Sequence, residues 1–363
     1  MRDLKFDATA QNTKRRVAEL DGLRGVAALW VVLYHLWGAI ERRDVDWVMG
    51  AVSEFFHAGW LGVDIFFVLS GFVITHSVTK IKVTPTFIPK FILRRSMRID
   101  PPYWAAIVLA IVFMVLKNTF FPAESVTLPS IEKITAHIFY LQDILGFGNI
   151  SSVFWTLCLE FQFYLIFAIM YQLYGFLDYS KKQVWSHILL FSGVLFCAVS
   201  PALRFSSFDL PISGTILPYA YEFILGVIAY NCVNNKFSYG YLIFGAILSV
   251  GVTTFFKPFY FGLVPVTTIF VIYISSEFGA IKFLKSFTIQ WLGKISYSLY
   301  LTHAVVGWVV ISVLSYFLEG YGSPLVTMII FFSGLLFSLI FSVIFFRLIE
   351  YPSLIISRKF RPS

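Results

Sequence analysis

Apolar runs of about 17–22 residues, the length that spans a hydrocarbon core, recur from one end of this chain to the other. Such a core holds no water to satisfy backbone N–H and C=O groups, so each run must close its hydrogen bonds internally, as a helix. The runs lie at 25–40, 59–77, 103–118, 153–175, 186–202, 215–232, 240–256, 258–276, 296–316 and 324–346. Composition agrees: of 363 residues, 58% are hydrophobic and only 13% charged, against about 25% charged in soluble domains. The expected fold is all-α, a polytopic membrane protein with about ten transmembrane helices.

A weaker segment, ITAHIFYLQDILGF (134–147), is short and broken by His137, Gln142 and Asp143. It reads as one re-entrant or interfacial helix. Charge placement supports this. Lys14, Arg15 and Arg16 precede the first run, and Lys80, Lys82, Lys90, Arg94, Arg95 and Arg98 form a second cluster. Lys181 and Lys182, Lys236, then Lys282, Lys285 and Lys294, and finally Arg358, Lys359 and Arg361 join the same side only if 134–147 does not cross. By the positive-inside rule that side is cytoplasmic, which puts both termini there. The chain then divides into a cytoplasmic N-terminal segment (1–18), a membrane domain (19–352) and a cytoplasmic basic tail (353–363).

MRDLKFDATAQNTKRR lacks the apolar stretch and small-residue site of a cleavable signal, so the first helix is expected to remain. The net charge of +8 sits in short loops. It reads as orientation signal, and no nucleic-acid partner is expected. Cys158, Cys197 and Cys232 lie in or beside apolar runs. They show no paired spacing and no histidine cluster, so neither a disulfide framework nor a metal site is expected.

Ionisable groups at membrane depth are costly and mark function. Arg24 and His35 share the first run. Eleven residues at about 100° each put both on one side of a helix, roughly 16 Å apart. In the expected topology Arg24 lies near the cytoplasmic end, while His35 and Glu160 lie in the outer halves of their spans. Asp64 is about one turn in from outside and His303 about two turns in from inside. A histidine at such a place can take a proton from a hydroxyl, oriented by Glu160 or Asp64. Glu160 is favoured because WTLCLE follows a loop and opens a helix. The bland alternatives are a snorkelling Arg24, a His35 bonded to a carbonyl, and carboxylates that merely link helices. His57, His76 and His187 sit at span edges and read as bland.

FILRRSMRIDPPYW sets Arg94, Arg95 and Arg98 before a membrane entry. Arg95 and Arg98, three apart, share one helix face, and guanidinium suits phosphate; topology and lipid headgroups are the alternative. Pro101 and Pro102 are expected to break the chain there. Gly59, Gly62 and Gly71 point to close helix approach, and Glu222 to a structural carboxylate.

LDGLRGVAALWVVLYHLW, GWLGVDIFFVLSGFVIT, FILRRSMRIDPPYW, WTLCLEFQFYL, LGKISYSLYLTH and RLIEYPS occur in this order. Together they resemble the acyltransferase-3 family of integral membrane acyltransferases, which includes bacterial O-antigen and exopolysaccharide O-acetylases. The likeness runs from about residue 19 to 352. It implies transfer of an acyl group, usually acetyl from acetyl-CoA, to a hydroxyl of an envelope or exported glycan, glycolipid or glycoside, at the inner membrane. The family's Arg-x10-His pair falls on Arg24 and His35, its Arg-x-x-Arg pair on Arg95 and Arg98. Its Trp-Ser-Leu-x-x-Glu element falls on Trp155 to Glu160, with Thr156 for Ser, and its Ile-Glu-x-Pro on Ile349 to Pro352. Asp100 stands where Tyr is usual, and Thr302 where Trp is frequent. Taken with the depth reading, the expected site has His35, Glu160, Arg24 and Asp64 as catalytic residues. Arg94, Arg95, Arg98 and His303 hold the acyl-CoA. A proton-coupled transporter or flippase of a lipid-linked sugar is the alternative that buried charges also fit.

Overall fold

A computed structural model of the chain describes residues 2–40, 50–79, 81, 83–122, 125–177, 179–206, 214–277, 281–318 and 323–360. Lys80, Lys82 and Arg361, and the side chains of Lys14, Arg15 and Arg16, lie outside the described residues. Every regular element among those described is helical. In chain order these are α1 (Arg2–Ile40), α2 (Gly50–His57), α3 (Gly62–Val78), α4 (Phe87–Phe120), α5 (Ile131–Ile138), α6 (Trp155–Gly175), α7 (Tyr179–Phe205), α8 (Ala220–Val233), α9 (Tyr239–Phe256), α10 (Tyr260–Glu277), α11 (Phe287–Phe317), α12 (Pro324–Phe345) and α13 (Tyr351–Ser357). Eight of the described helices are long and apolar enough to cross a membrane. Two shorter apolar helices, Leu217–Val233 and Tyr260–Ser275, fall where the sequence places two further spans.

Helix direction decides how 134–147 behaves. Phe87 packs on Tyr171, Phe91 on Phe167 and Tyr103 on Phe154, so α4 and α6 run antiparallel. A crossing between them would make them parallel. The intervening α5 has 8 residues, about 12 Å of helix, too short to span. It folds back onto the bundle, as read from its broken apolarity. His137 Nδ1 donates to Lys133 O at 2.7 Å while its Nε2 accepts from Ile150 N at 3.0 Å. Tyr140 stacks on Tyr103, and its hydroxyl donates to Asp100 Oδ1 at 2.9 Å. Burial pushes His137 below the ordinary imidazole range and Asp143 above the usual carboxylate range.

The same logic relates α1 to α11. Gly25 meets Gly293, and further along Leu36 meets Gly307, so the two helices are parallel. With α12 antiparallel to α11 (Ile311 on Gly334, Ser298 on Glu350), the end of α12 returns to the side on which Arg24 lies.

One expectation fails locally. Pro101 and Pro102 do not end a helix; α4 runs through both. Each proline removes an i−4 hydrogen bond, but the neighbourhood is clamped from outside. Tyr297 hydroxyl donates to Ile99 O at 3.0 Å and Tyr140 holds Asp100. On the opposite face Trp104, Val108, Val112 and Val115 are each more than 40% exposed. That i, i+4, i+8, i+11 stripe faces the lipid.

The glycine-rich run does bring helices together. A Cβ on Gly71 would lie 2.0 Å from Phe223 O, and one on Gly226 would lie 2.0 Å from Val68 O, so α3 and α8 touch backbone to backbone. Gly71→Val is expected to cost at least about 1–3 kcal/mol through overpacking. A thermal melt in detergent checks this; an unchanged melting temperature contradicts the contact.

Candidate active site

Four helices and the long α11 enclose one cavity of about 910 Å³, open mouth included. α1 contributes Arg24, α3 Ser70, α4 Arg95 and Arg98, α6 Thr156, Glu160 and Tyr164, and α11 Ser296, Tyr297 and Tyr300. On α6 the i, i+4, i+8 spacing of Thr156, Glu160 and Tyr164 sets one polar stripe against the void.

Arg95 is held on several sides. Its Nη2 donates to Ser77 Oγ at 2.8 Å, and its guanidinium lies over Phe91 at 5.4 Å and Tyr164 at 5.6 Å. Its Nε is buried with no hydrogen-bond partner. Arg98, three residues on, reaches the same cavity as the sequence spacing requires. Arg94 does not line it, being about 100° around the helix from Arg95. Arg24 and Arg98 stand within electrostatic reach of Asp21 and Glu350. Glu350 is itself fixed, accepting from Ser298 N at 3.0 Å and Ser298 Oγ at 2.5 Å. Glu160 Oε1 accepts from Ser70 Oγ at 3.0 Å and from the Tyr164 hydroxyl.

His35 has a different neighbour from the one expected. Neither Glu160 nor Asp64 bonds to it. His35 Nδ1 lies 2.9 Å from Val31 O and 3.2 Å from Nε2 of His303. A carbonyl can only accept, so Nδ1 carries the proton and Nε2 the lone pair. His303 repeats the pattern: its Nδ1 lies 2.9 Å from Leu299 O, which leaves its Nε2 free to accept from His35. His303 is fully buried and, like His35, is absent from the cavity lining. It stands on His35 rather than among the arginines because α11 starts at Phe287, well before the expected 296, and its parallel register with α1 brings residue 303 to residue 35. Tyr300 forms the partition. Its ring is 6.0 Å from that of His303 and 5.6 Å from that of Phe66, another lining residue. Its hydroxyl lies 2.8 Å from Thr156 Oγ1.

Asp64 is committed elsewhere. Arg204 Nη2 contacts Asp64 Oδ1 at 3.0 Å, and Nη1 contacts Glu222. Both carboxylates are fully buried. The cluster ties α3, α7 and α8, and neither Asp64 nor Glu222 lines the cavity.

Tyr164, Tyr297, Tyr300 and Glu350 carry much of this site and were not singled out by spacing. The Ile349–Pro352 and Tyr-Leu-Thr-His elements were the available signals. Arg204, at the end of a span, gave none.

A family model described as an acyltransferase domain, acyltransferase-3, matches residues 17–347. The chain belongs to the acyltransferase-3 family. The matching model is that of an acyltransferase domain, which favours acyl transfer over the transporter alternative. Among curated relatives of this acyltransferase-3 protein is the peptidoglycan O-acetyltransferase OatA of Listeria monocytogenes serovar 1/2a, 27% identical over 81% of this chain and 50% of that protein. A Staphylococcus aureus (strain COL) protein with a provisional O-acetyltransferase name, SACOL0978, is 26% identical over 95% of this chain and 58% of its own length. The chain thus spans about half the length of these relatives. No solved structure matches it.

Proposed function

We propose that this protein is a membrane O-acetyltransferase that carries acetyl from acetyl-CoA, entering on the arginine side, to a hydroxyl of an envelope or exported glycan or glycoside. The observation that carries the reading is one cavity with Arg24, Arg95 and Arg98 in its lining and, behind Tyr300, a histidine pair in contact through His35 Nδ1 and His303 Nε2. The names of the relatives point to the same reaction. The positive-inside rule orients the arginines toward the cytoplasm, where acyl-CoA is made. A basic entrance also raises the encounter rate of an anionic nucleotide.

The phosphates of the donor would be gripped by Arg95 and Arg98, with the unpartnered Nε of Arg95 as one donor atom. The thioester end passes up the cavity, and the Tyr300–Phe66 partition must yield for it to meet His35. There His35 Nε2 takes the acceptor hydroxyl's proton as the oxygen attacks the thioester carbon. The C–O bond forms, the C–S bond breaks, and the proton moves to the departing thiolate. In an acyl-imidazole route the same lone pair attacks the thioester carbon and expels the thiolate, the Nδ1 proton passes by way of His303 Nε2 to that thiolate, and the acceptor hydroxyl then displaces the imidazole from the acetyl carbon and returns a proton to His35. In either route His303 occupies the place a carboxylate holds behind the histidine of a Ser-His-Asp triad.

Arg98→Ala tests donor binding. Loss of a charge-assisted hydrogen bond of about 1.5–3 kcal/mol is expected to raise the KM for acetyl-CoA about 10–100-fold while kcat changes far less. Labelled acetyl-CoA turnover by the protein in vesicles gives both constants. Unchanged acetyl-CoA binding in both Arg98→Ala and Arg95→Ala overturns the assignment.

A further inference from the structure

A second cavity, of about 690 Å³ with its mouth, opens at the other end of α6 from the arginine side, and nothing above gives it a task. Its lining includes Asp143, Gly146, Gly148, Trp155, Gly214 and Tyr219. Trp155 and Tyr219 form an aromatic corner, with ring centroids 5.3 Å apart and planes at 49°. Asp143 is held in a fixed pose. Its Oδ1 accepts from Asn149 Nδ2 at 2.7 Å, while its Oδ2 is buried with no hydrogen-bond partner. Behind it Gly214, at φ +83°, packs so closely that any Cβ would fall 2.5 Å from the Asp143 backbone. That strand of chain is pinned to α6, since Gln162 donates to Gly214 O and accepts from Ile216 N, each at 2.8 Å. Gly146 and Gly148 take positive φ, with nothing within 4 Å of where a Cβ would stand, so bare backbone faces the opening.

The two cavities share a wall. Thr156 and Glu160 line the first, Trp155 the second, so adjacent faces of one helix serve both. Phe67 lines the first cavity, and its ring lies 5.9 Å from Tyr219 and 6.4 Å from Trp155.

We infer that this second cavity is the binding site for the sugar ring of the acceptor, a pyranoside whose apolar C–H face lies on Trp155 and Tyr219 while its hydroxyls donate to Asp143. Aromatic rings with one apolar face and a fixed, unsatisfied acceptor suit a ligand that is apolar on its faces and hydroxylated at its edge. An acyl chain leaves Asp143 Oδ2 buried without a partner, which costs free energy. The inference rests on the acetyltransferase reading for its place in the reaction, but not for its test.

The test titrates the protein in nanodiscs, without acetyl-CoA, against methyl glucoside, galactoside and mannoside, N-acetylglucosamine and choline, read by saturation-transfer NMR. At least one pyranoside is expected to bind. Asp143→Asn, which keeps the Asn149 contact and the shape, is expected to weaken it at least tenfold, and Trp155→Leu likewise. Acetyl-CoA affinity stays within twofold in both. Failure of every pyranoside to bind, binding of choline alone, or unchanged sugar affinity in both variants overturns the inference. Sugar binding that these variants abolish, in a protein that never transfers acetyl, upholds the site and removes the acetyltransferase reading. Acetyl transfer with an unaltered sugar KM in both variants does the reverse.

Discussion

His35→Asn lowers acetyl transfer by about 10²–10⁴-fold, the range for losing a positioned general base, with the KM for acetyl-CoA little changed. The size follows from the tautomer. Val31 O and His303 Nε2 both face Nδ1 of His35, so Nε2 alone can accept a proton, and asparagine offers no comparable base. His303→Leu is expected to lower kcat on the order of tenfold. His303→Gln, whose amide oxygen can still accept from Nδ1–H, recovers much of that loss. This split separates positioning from packing, since a purely structural role makes leucine the better substitute in a buried site. Steady-state kinetics with labelled acetyl-CoA in vesicles decide it. A His35→Asn protein that acetylates normally removes the imidazole from the mechanism.

Arg204→Met destabilises the fold by about 3–5 kcal/mol, because it strips the counter-charge from two carboxylates that have no access to water. Asp64 and Glu222 are both fully buried and both contact Arg204, which also lies over the Tyr219 ring at 4.5 Å. Neutralising the whole cluster, as Asp64→Asn, Glu222→Gln and Arg204→Met together, is expected to recover most of the loss, since the desolvation cost then vanishes with the charges. Melting of the detergent-solubilised variants reads both. A single Arg204→Met variant that melts like the wild type shows that the cluster does not hold α3, α7 and α8 together. This arrangement pairs Asp64 with Arg204 rather than with His35, the partner expected from its depth.

Much of the site was legible where the signal is periodic. Arg95 and Arg98, three apart, had to share a face, and both line one cavity. Arg24 reaches it from another helix, and Glu160 does so one turn after Thr156. The short, polar-interrupted 134–147 segment reads as re-entrant or interfacial, and the antiparallel α4 and α6 agree with that. What failed was partner choice. Glu160 and Asp64 read as orienters of His35 because carboxylates commonly do that work, yet Glu160 is engaged by Tyr164, one turn along its own helix, and Asp64 by Arg204, 140 residues away and without a sequence signature. The proline pair misled for a related reason. Its intrinsic preference is to break a helix, and tertiary hydrogen bonds from Tyr140 and Tyr297 outweighed it.

The amino-acid order alone determined that the chain is a bundle of apolar helices, because hydrocarbon thickness and unsatisfied backbone groups leave a long apolar segment no other structure. It also determined the family, through six motifs in sequence. Only the tertiary structure decided that His35 meets His303, 268 residues away, that Tyr300 stands between this pair and the arginine cavity, and that Asp143 shares a hollow with Trp155 and Tyr219. Those pairings depend on the register between distant helices. Register is set by the best joint packing of many side chains and close glycine contacts, which no local period in the sequence encodes.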